Sequence, residues 1–163
     1  IVICLFSSMQ VCAMSIGMKI CLASDVSGVL VKGGVPLEQG RLVREIEKNG
    51  KKYTQEAIVG SNGNFTFPAL FERSLFAWLP HQPAIHQRVL IQHEGEEYRA
   101  WELTKMDYDL YGEVNSVKAL TNKNAVPFSV TCDLNDEEYS RHVEGTAKAI
   151  HGICLLNGER KPI

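Results

Sequence analysis

Five histidines, His81, His86, His93, His142 and His151, are the side chains best suited to metal or acid–base chemistry in this chain. His81 and His86 stand five residues apart across Pro83, and a loop folded back there would let two imidazoles meet. No acid lies at a diagnostic distance from them, and there is no His-Glu-x-x-His run. They read as surface or hydrogen-bonding histidines, and neither metal nor cofactor is expected. Asp107-Tyr108-Asp109-Leu110-Tyr111-Gly112 has the opening of a calcium loop. Its fifth position is Tyr111, and Lys118 stands where the closing bidentate Glu belongs, so a cation would meet a positive charge. The segment reads instead as a polar, acidic, aromatic loop. Asp107, Tyr108, Asp109 and Tyr111 are its candidate partner-binding residues, since an aromatic loop of one charge sign can plug a complementary cleft.

Nucleophilic catalysis has no comparable signal. There is no Gly-x-Ser-x-Gly elbow and no Gly-rich phosphate loop leading into a helix. No pair of carboxylates stands out for glycosidase-type chemistry, and no serine, histidine and acid can be placed in a triad from spacing alone. The five cysteines, Cys4, Cys12, Cys21, Cys132 and Cys154, form no Cys-x-x-Cys pair. An odd number cannot pair completely within one chain. One bridge among Cys21, Cys132 and Cys154 could form in an oxidising compartment, Cys132 with Cys154 being the candidate pair. The alternative is buried free thiols, which pack as small hydrophobes. Cys132 shares strand parity with Val130 and Leu134, which turns it toward a core and away from thiolate chemistry.

The 163 residues carry a net charge of −2 and are 45% hydrophobic. That suffices for one domain with a real core. Without a basic excess, a nucleic-acid partner is not expected. Residues 1–17 are apolar and uncharged, resembling a signal-peptide core or an extension upstream of a start at Met18. They are too short and too interrupted by Ser and Gln to span a bilayer. Export to a periplasm is weighed slightly above cytoplasmic residence.

From residue 25 onward the sequence alternates strands and turns. Residues 26–31 form a β-rich run that stops at Lys32-Gly33-Gly34. Residues 41–47 and 52–59 flank Asn49-Gly50, a strong hairpin signal. Asn64-Phe65-Thr66-Phe67 places both phenylalanines on one face. Residues 69–78 suggest a helical turn or covering loop. Residues 87–93 and 98–104 bracket Glu94-Gly95-Glu96-Glu97 as a second hairpin, with Trp101 and Leu103 sharing an inward parity. Residues 126–134 show the cleanest period of two in the chain. Residues 152–156 could form a last strand, and residues 105–124 and 135–148 read as loop or short helix. Regularly spaced strands with Gly-rich turns predict an all-β, antiparallel β-sandwich over residues 18–163, with long polar loops and little helix.

Two passages resemble carboxypeptidase regulatory-like, or transthyretin-like, domains. Val26-Ser27-Gly28-Val29 followed by Gly34-Val35-Pro36-Leu37-Glu38-Gln39-Gly40 is similar to their opening strand, turn and Pro-Leu-x-x-Gly entry. Gly60-Ser61-Asn62-Gly63-Asn64-Phe65-Thr66-Phe67 resembles their Thr-Asp-x-x-Gly-x-Phe-x-Phe hairpin, although Gly60-Ser61 stands where Thr-Asp is usual, which weakens a calcium reading of that turn. Most of residues 18–156 is also similar to a narrower group of small bacterial proteins, through Met18-Lys19-Ile20-Cys21-Leu22, Phe67-Pro68-Ala69-Leu70-Phe71, Arg88-Val89-Leu90-Ile91, Thr131-Cys132-Asp133-Leu134 and Gly152-Ile153-Cys154. The resemblance implies the sandwich fold and carries no activity with it; an all-β module of this pattern with no catalytic motif is expected to bind another protein without catalysis. By analogy the partner is a type VI secretion effector and the chain its immunity protein. The alternative is a structural or adhesive module of a bacterial envelope assembly.

Overall fold

The computed structural model describes residues 17–115, 126–143 and 148–156. The fold is an all-β sandwich with thirteen strands among these residues: β1 (Met18–Ala23), β2 (Val26–Lys32), β3 (Val35–Pro36), β4 (Arg41–Lys48), β5 (Lys51–Ile58), β6 (Asn64–Phe67), β7 (Leu70–Ser74), β8 (Ile85–His93), β9 (Glu96–Lys105), β10 (Phe128–Asp133), β11 (Tyr139–His142), β12 (Ala149–Gly152) and β13 (Cys154–Leu156). A six-stranded sheet runs β11-β12-β9-β8-β4-β5. A five-stranded sheet runs β13-β10-β2-β3, with β6 also on β2, and β1 pairs with β7 in a two-stranded ribbon.

Strand alternation builds the core. Leu42 and Ile46 on β4, Val89 and Ile91 on β8, and Trp101 and Leu103 on β9 are buried. Opposite them lie Val26 and Leu30 on β2, Phe65 and Phe67 on β6, and Phe128, Val130 and Cys132 on β10. Most of these side chains belong to one cluster, so the two large sheets pack face to face. Phe67 meets Trp101 edge-on at 6.4 Å, and Phe128 tilts against the same indole at 5.7 Å. A second cluster of Ile20, Leu22, Ala23, Ile46 and Ile85 sits where β1 crosses β4 and β8. Cys132 and Cys154, directly opposite in the β10–β13 ladder, are joined by a disulfide, while Cys21 is a buried free thiol.

The turns follow their residues. Asn49 and Gly50 both take positive φ (51° and 78°), the hairpin geometry that Asn-Gly favours. At Gly63, φ is +75° and an added Cβ would lie 2.3 Å from the Leu30 carbonyl oxygen, so the start of β6 requires glycine.

The structure corrects four expectations. Residues 69–78 are not a helical turn, because Leu70–Ser74 pairs with β1, a strand the period-two reading did not include. Residues 135–148 contain β11, which pairs with β12. The sandwich is not wholly antiparallel, since β10 runs parallel to β2, aligning Phe128 with Val26 and Asp133 with Val31. Residues 152–156 do not continue a single strand. Gly152 ends β12 in the six-stranded sheet, and Cys154 begins β13 in the other. Gly152 has φ +145°, and a Cβ there would lie 2.3 Å from the Ala100 carbonyl oxygen. The missing side chain lets the chain change sheets. The reading of residues 1–16 lies outside the described residues, as do residues 116–125.

Candidate functional site

Polar side chains appear at inward strand positions where an apolar residue is expected. Arg44 falls between Leu42 and Ile46, Gln87 between Ile85 and Val89, and Lys105 follows Leu103 on the same face. All three are buried, together with Ser24 and Glu113. Glu113 collects them. Its carboxylate accepts hydrogen bonds from the Ser24 backbone N–H (2.9 Å), the Ser24 hydroxyl (2.5 Å) and Gln87 Nε2 (2.8 Å). Lys105 Nζ lies 3.5 Å away and Arg44 Nη2 3.8 Å away. Arg44 also donates to the Ser24 carbonyl (2.7 Å) and to Gln87 Oε1 (2.8 Å). Lys105 donates to the carbonyls of Cys21 and Asp109.

The pKa shifts follow from this packing. Burial raises the Glu113 carboxyl, but Lys105 and the donors from Ser24 and Gln87 outweigh it and hold the group below the usual carboxylate range. Burial lowers the Arg44 guanidinium to about 10 against the pull of Glu113. The Cys21 thiol is raised, chiefly by burial, so it is a poor nucleophile.

This cluster fixes the 106–115 loop to the sandwich. The Ser24 hydroxyl accepts from the Tyr111 N–H (2.6 Å), and Cys21 N–H donates to the Tyr108 carbonyl (3.0 Å). Lys148, on the far side, donates to Asp107 Oδ2 (2.9 Å) and to the carbonyls of Gly112 and Asn115. The four residues expected to bind a partner therefore share one ordered loop but do not all face outward. Asp107 is buried against Lys148, and burial raises the Asp109 carboxyl. Tyr108 packs on the second core cluster and Tyr111 on the first, with the Tyr111 hydroxyl donating to Asp25 (3.0 Å). The outermost apolar side chain of the loop is Leu110, 43% exposed. Of the two acids, Asp107 pairs with Lys148, while Asp109 is half-buried.

The histidines separate. His81 bonds the Tyr108 hydroxyl (3.0 Å), His86 bonds Thr104 (2.9 Å) and His93 bonds the Gln39 carbonyl (3.1 Å). Among the described residues no three His, Cys, Asp or Glu side chains converge to hold a metal. One arrangement was not readable from spacing. His151 Nδ1 lies 2.8 Å from the Ser140 hydroxyl and its Nε2 lies 2.9 Å from Glu138, which Arg99 approaches at 3.4 Å. The order is that of nucleophile, base and carboxylate. It lies on the outward face of β11 and β12, with Ser140 exposed and His151 and Glu138 each more than a third exposed. Ser140 and His151 are directly opposite in the β11–β12 ladder, and Glu138 reaches the imidazole from the residue before β11.

The other prominent surface is apolar. Residues 75–79, between β7 and β8, read Leu-Phe-Ala-Trp-Leu. Ala77 turns inward onto the second core cluster, while Leu75 (55%), Phe76 (66%), Trp78 (68%) and Leu79 (42%) are exposed. Trp78 Nε1 donates to the Leu75 carbonyl (2.9 Å), and Leu79 N–H donates to the Phe76 carbonyl (3.0 Å). The ridge is therefore an ordered turn.

Fold and site together define an all-β sandwich whose end carries a braced loop and an apolar ridge. The chain belongs to a family described as a domain of unknown function, DUF6795, whose model matches residues 26–137, from β2 to the turn after β10. Comparison with curated proteins and with solved structures finds no match.

Proposed function

We propose that this chain is a non-catalytic protein-binding domain that engages its partner through the end of the sandwich carrying the 106–115 loop. The observation that supports this is the bracing of the loop: Glu113, Ser24 and Lys105 hold its backbone from below while Leu110, Met106 and the edges of Tyr108 and Tyr111 remain accessible. A loop fixed before binding loses little conformational entropy on docking. The sandwich is of the carboxypeptidase regulatory-like kind, supported by the Gly-Val-Pro-Leu entry and the Phe65/Phe67 hairpin. Within that class the reading is an immunity protein that neutralises a type VI secretion effector.

The test is co-purification from the native host, followed by neutralisation assays against the product of the adjacent gene. A partner bound at micromolar concentration or tighter, released by Leu110→Arg, supports the reading. No such partner, or binding indifferent to Leu110→Arg, counts against it. Labelling of Ser140 by a serine-directed fluorophosphonate would sink the non-catalytic half of the proposal. A structural module of an envelope assembly is the second reading, favoured instead if the chain proves to be one part of a long multidomain protein.

A further inference from the structure

The ridge at residues 75–79 exposes two aliphatic and two aromatic side chains on successive positions, broken only by the inward Ala77. No charged residue interrupts residues 74–80. The ribbon that leads into it carries Glu72, paired with Lys48 and Lys51, and two cations at alternate positions to it. Lys19 on β1 and Arg73 on β7 are directly opposite in the ladder, an arrangement that like charges disfavour. Lys19 Nζ lies 4.0 Å from the centroid of the Phe71 ring, and Arg73 Nη1 donates to the Gly17 carbonyl (3.1 Å). Among the described residues neither cation has a carboxylate within ion-pair distance. A surface bearing negative charge would relieve that repulsion.

At the other end of the Lys19–Arg73 pairing, a Cβ added at Gly17 would lie 3.2 Å from the Ser74 carbonyl, so β1 and β7 stay in close contact up to the residue before Leu75. Exposed Trp and Phe next to Lys and Arg are the side chains suited to the boundary between headgroups and acyl chains.

We infer that residues 75–79, with Lys19 and Arg73, form a docking surface for an anionic lipid bilayer, into whose interface Leu75, Phe76, Trp78 and Leu79 insert. This goes beyond the protein-binding reading and does not depend on it, because Leu110 and the ridge are separate contacts that separate substitutions address. No strand or helix crosses the membrane in this mode. The ridge enters the interface and the sandwich stays in water.

The chain contains two tryptophans, and Trp101 is fully buried, so a change in emission on adding lipid reports Trp78. The full chain is mixed with vesicles of phosphatidylcholine and phosphatidylglycerol (about 3:1), and with phosphatidylcholine alone, and sedimentation and emission are followed. The expected result is association with the anionic vesicles and a blue-shifted Trp78. Lys19→Glu/Arg73→Glu should weaken association by at least about tenfold, as the loss of two basic residues near the surface implies. Phe76→Asp/Leu79→Asp, at exposed positions that leave the core intact, should abolish the shift. Absence of association at millimolar lipid overturns the inference. Association that survives Phe76→Asp/Leu79→Asp also overturns it, because the lipid contact then lies elsewhere, residues 1–16 included. If the same double variant leaves vesicles unaffected but releases a protein partner, the ridge is a protein surface.

Discussion

At the residue scale, Glu113 is the only carboxylate that faces both Arg44 and Lys105 among the described residues. Removing its charge strands two buried cations. Breaking a buried ion pair costs about 3–5 kcal/mol. Glu113→Gln is therefore expected to lower the unfolding free energy by about that amount in urea denaturation, and to loosen the 106–115 loop. The same group sets an acid limit. Its folded-state pKa lies below the unfolded value, so its contribution is fully present above the ordinary carboxylate range and is lost as pH falls through the folded value. Urea midpoints measured from pH 6 to pH 3 should fall in the native chain, and the Glu113→Gln variant should lack this component. Part of the signal for the cluster lies in the sequence: Arg44 shares parity with Leu42 and Ile46, and Gln87 with Val89, inside strands read from the sequence, whereas Lys105 falls where a loop is expected. Parity places a polar group on the inward face but does not say which group answers it, because Glu113 comes from an unpatterned loop.

At the element scale, β13 is held by only three register positions against β10, and the disulfide occupies one of them. It closes a loop across a sequence separation of 22. A bridge of that span contributes about 3 kcal/mol in the chain-entropy account. Reduction, or Cys132→Ala/Cys154→Ala, should lower stability by roughly that much in denaturant titrations with and without reductant. Gly152 governs the other crossing. Gly152→Ala forces a Cβ onto the Ala100 carbonyl at an unfavourable φ, so a loss of at least about 1–3 kcal/mol is expected, with faster amide exchange in β12 and β13. Neither effect depends on hydrophobic area. Both arise where one short segment belongs to two sheets in succession. The same ambiguity hid β7: residues 70–74 alternate only between half-buried and exposed, a pattern too weak to separate a ribbon strand from a covering loop.

At the scale of the whole molecule, the central pairings join distant segments. β2 takes β10 as its parallel neighbour about a hundred residues later, with Leu30 beside Cys132. Such closures must precede the contacts that stabilise them, so refolding is expected on the scale of about milliseconds to seconds, resolved by stopped-flow Trp101 fluorescence. A refolding phase complete within microseconds would contradict that topology. The two surfaces proposed for binding, the loop around Leu110 and the ridge around Trp78, are linked by the His81–Tyr108 hydrogen bond. One end of the sandwich is thus ordered by buried charge and exposes apolar groups.

The sequence alone determined the all-β class, the hairpins at Asn49-Gly50 and around Gly95, and the inward parity of Phe65, Phe67, Trp101 and Cys132, because period-two alternation and turn chemistry are local properties. The tertiary structure decided the parallel β10–β2 pairing, the change of sheet at Gly152, the inward turn of Asp107 and the meeting of Glu113 with Arg44 and Lys105. Each of these depends on which distant segment arrives as a neighbour, and residue spacing along a chain carries no record of that.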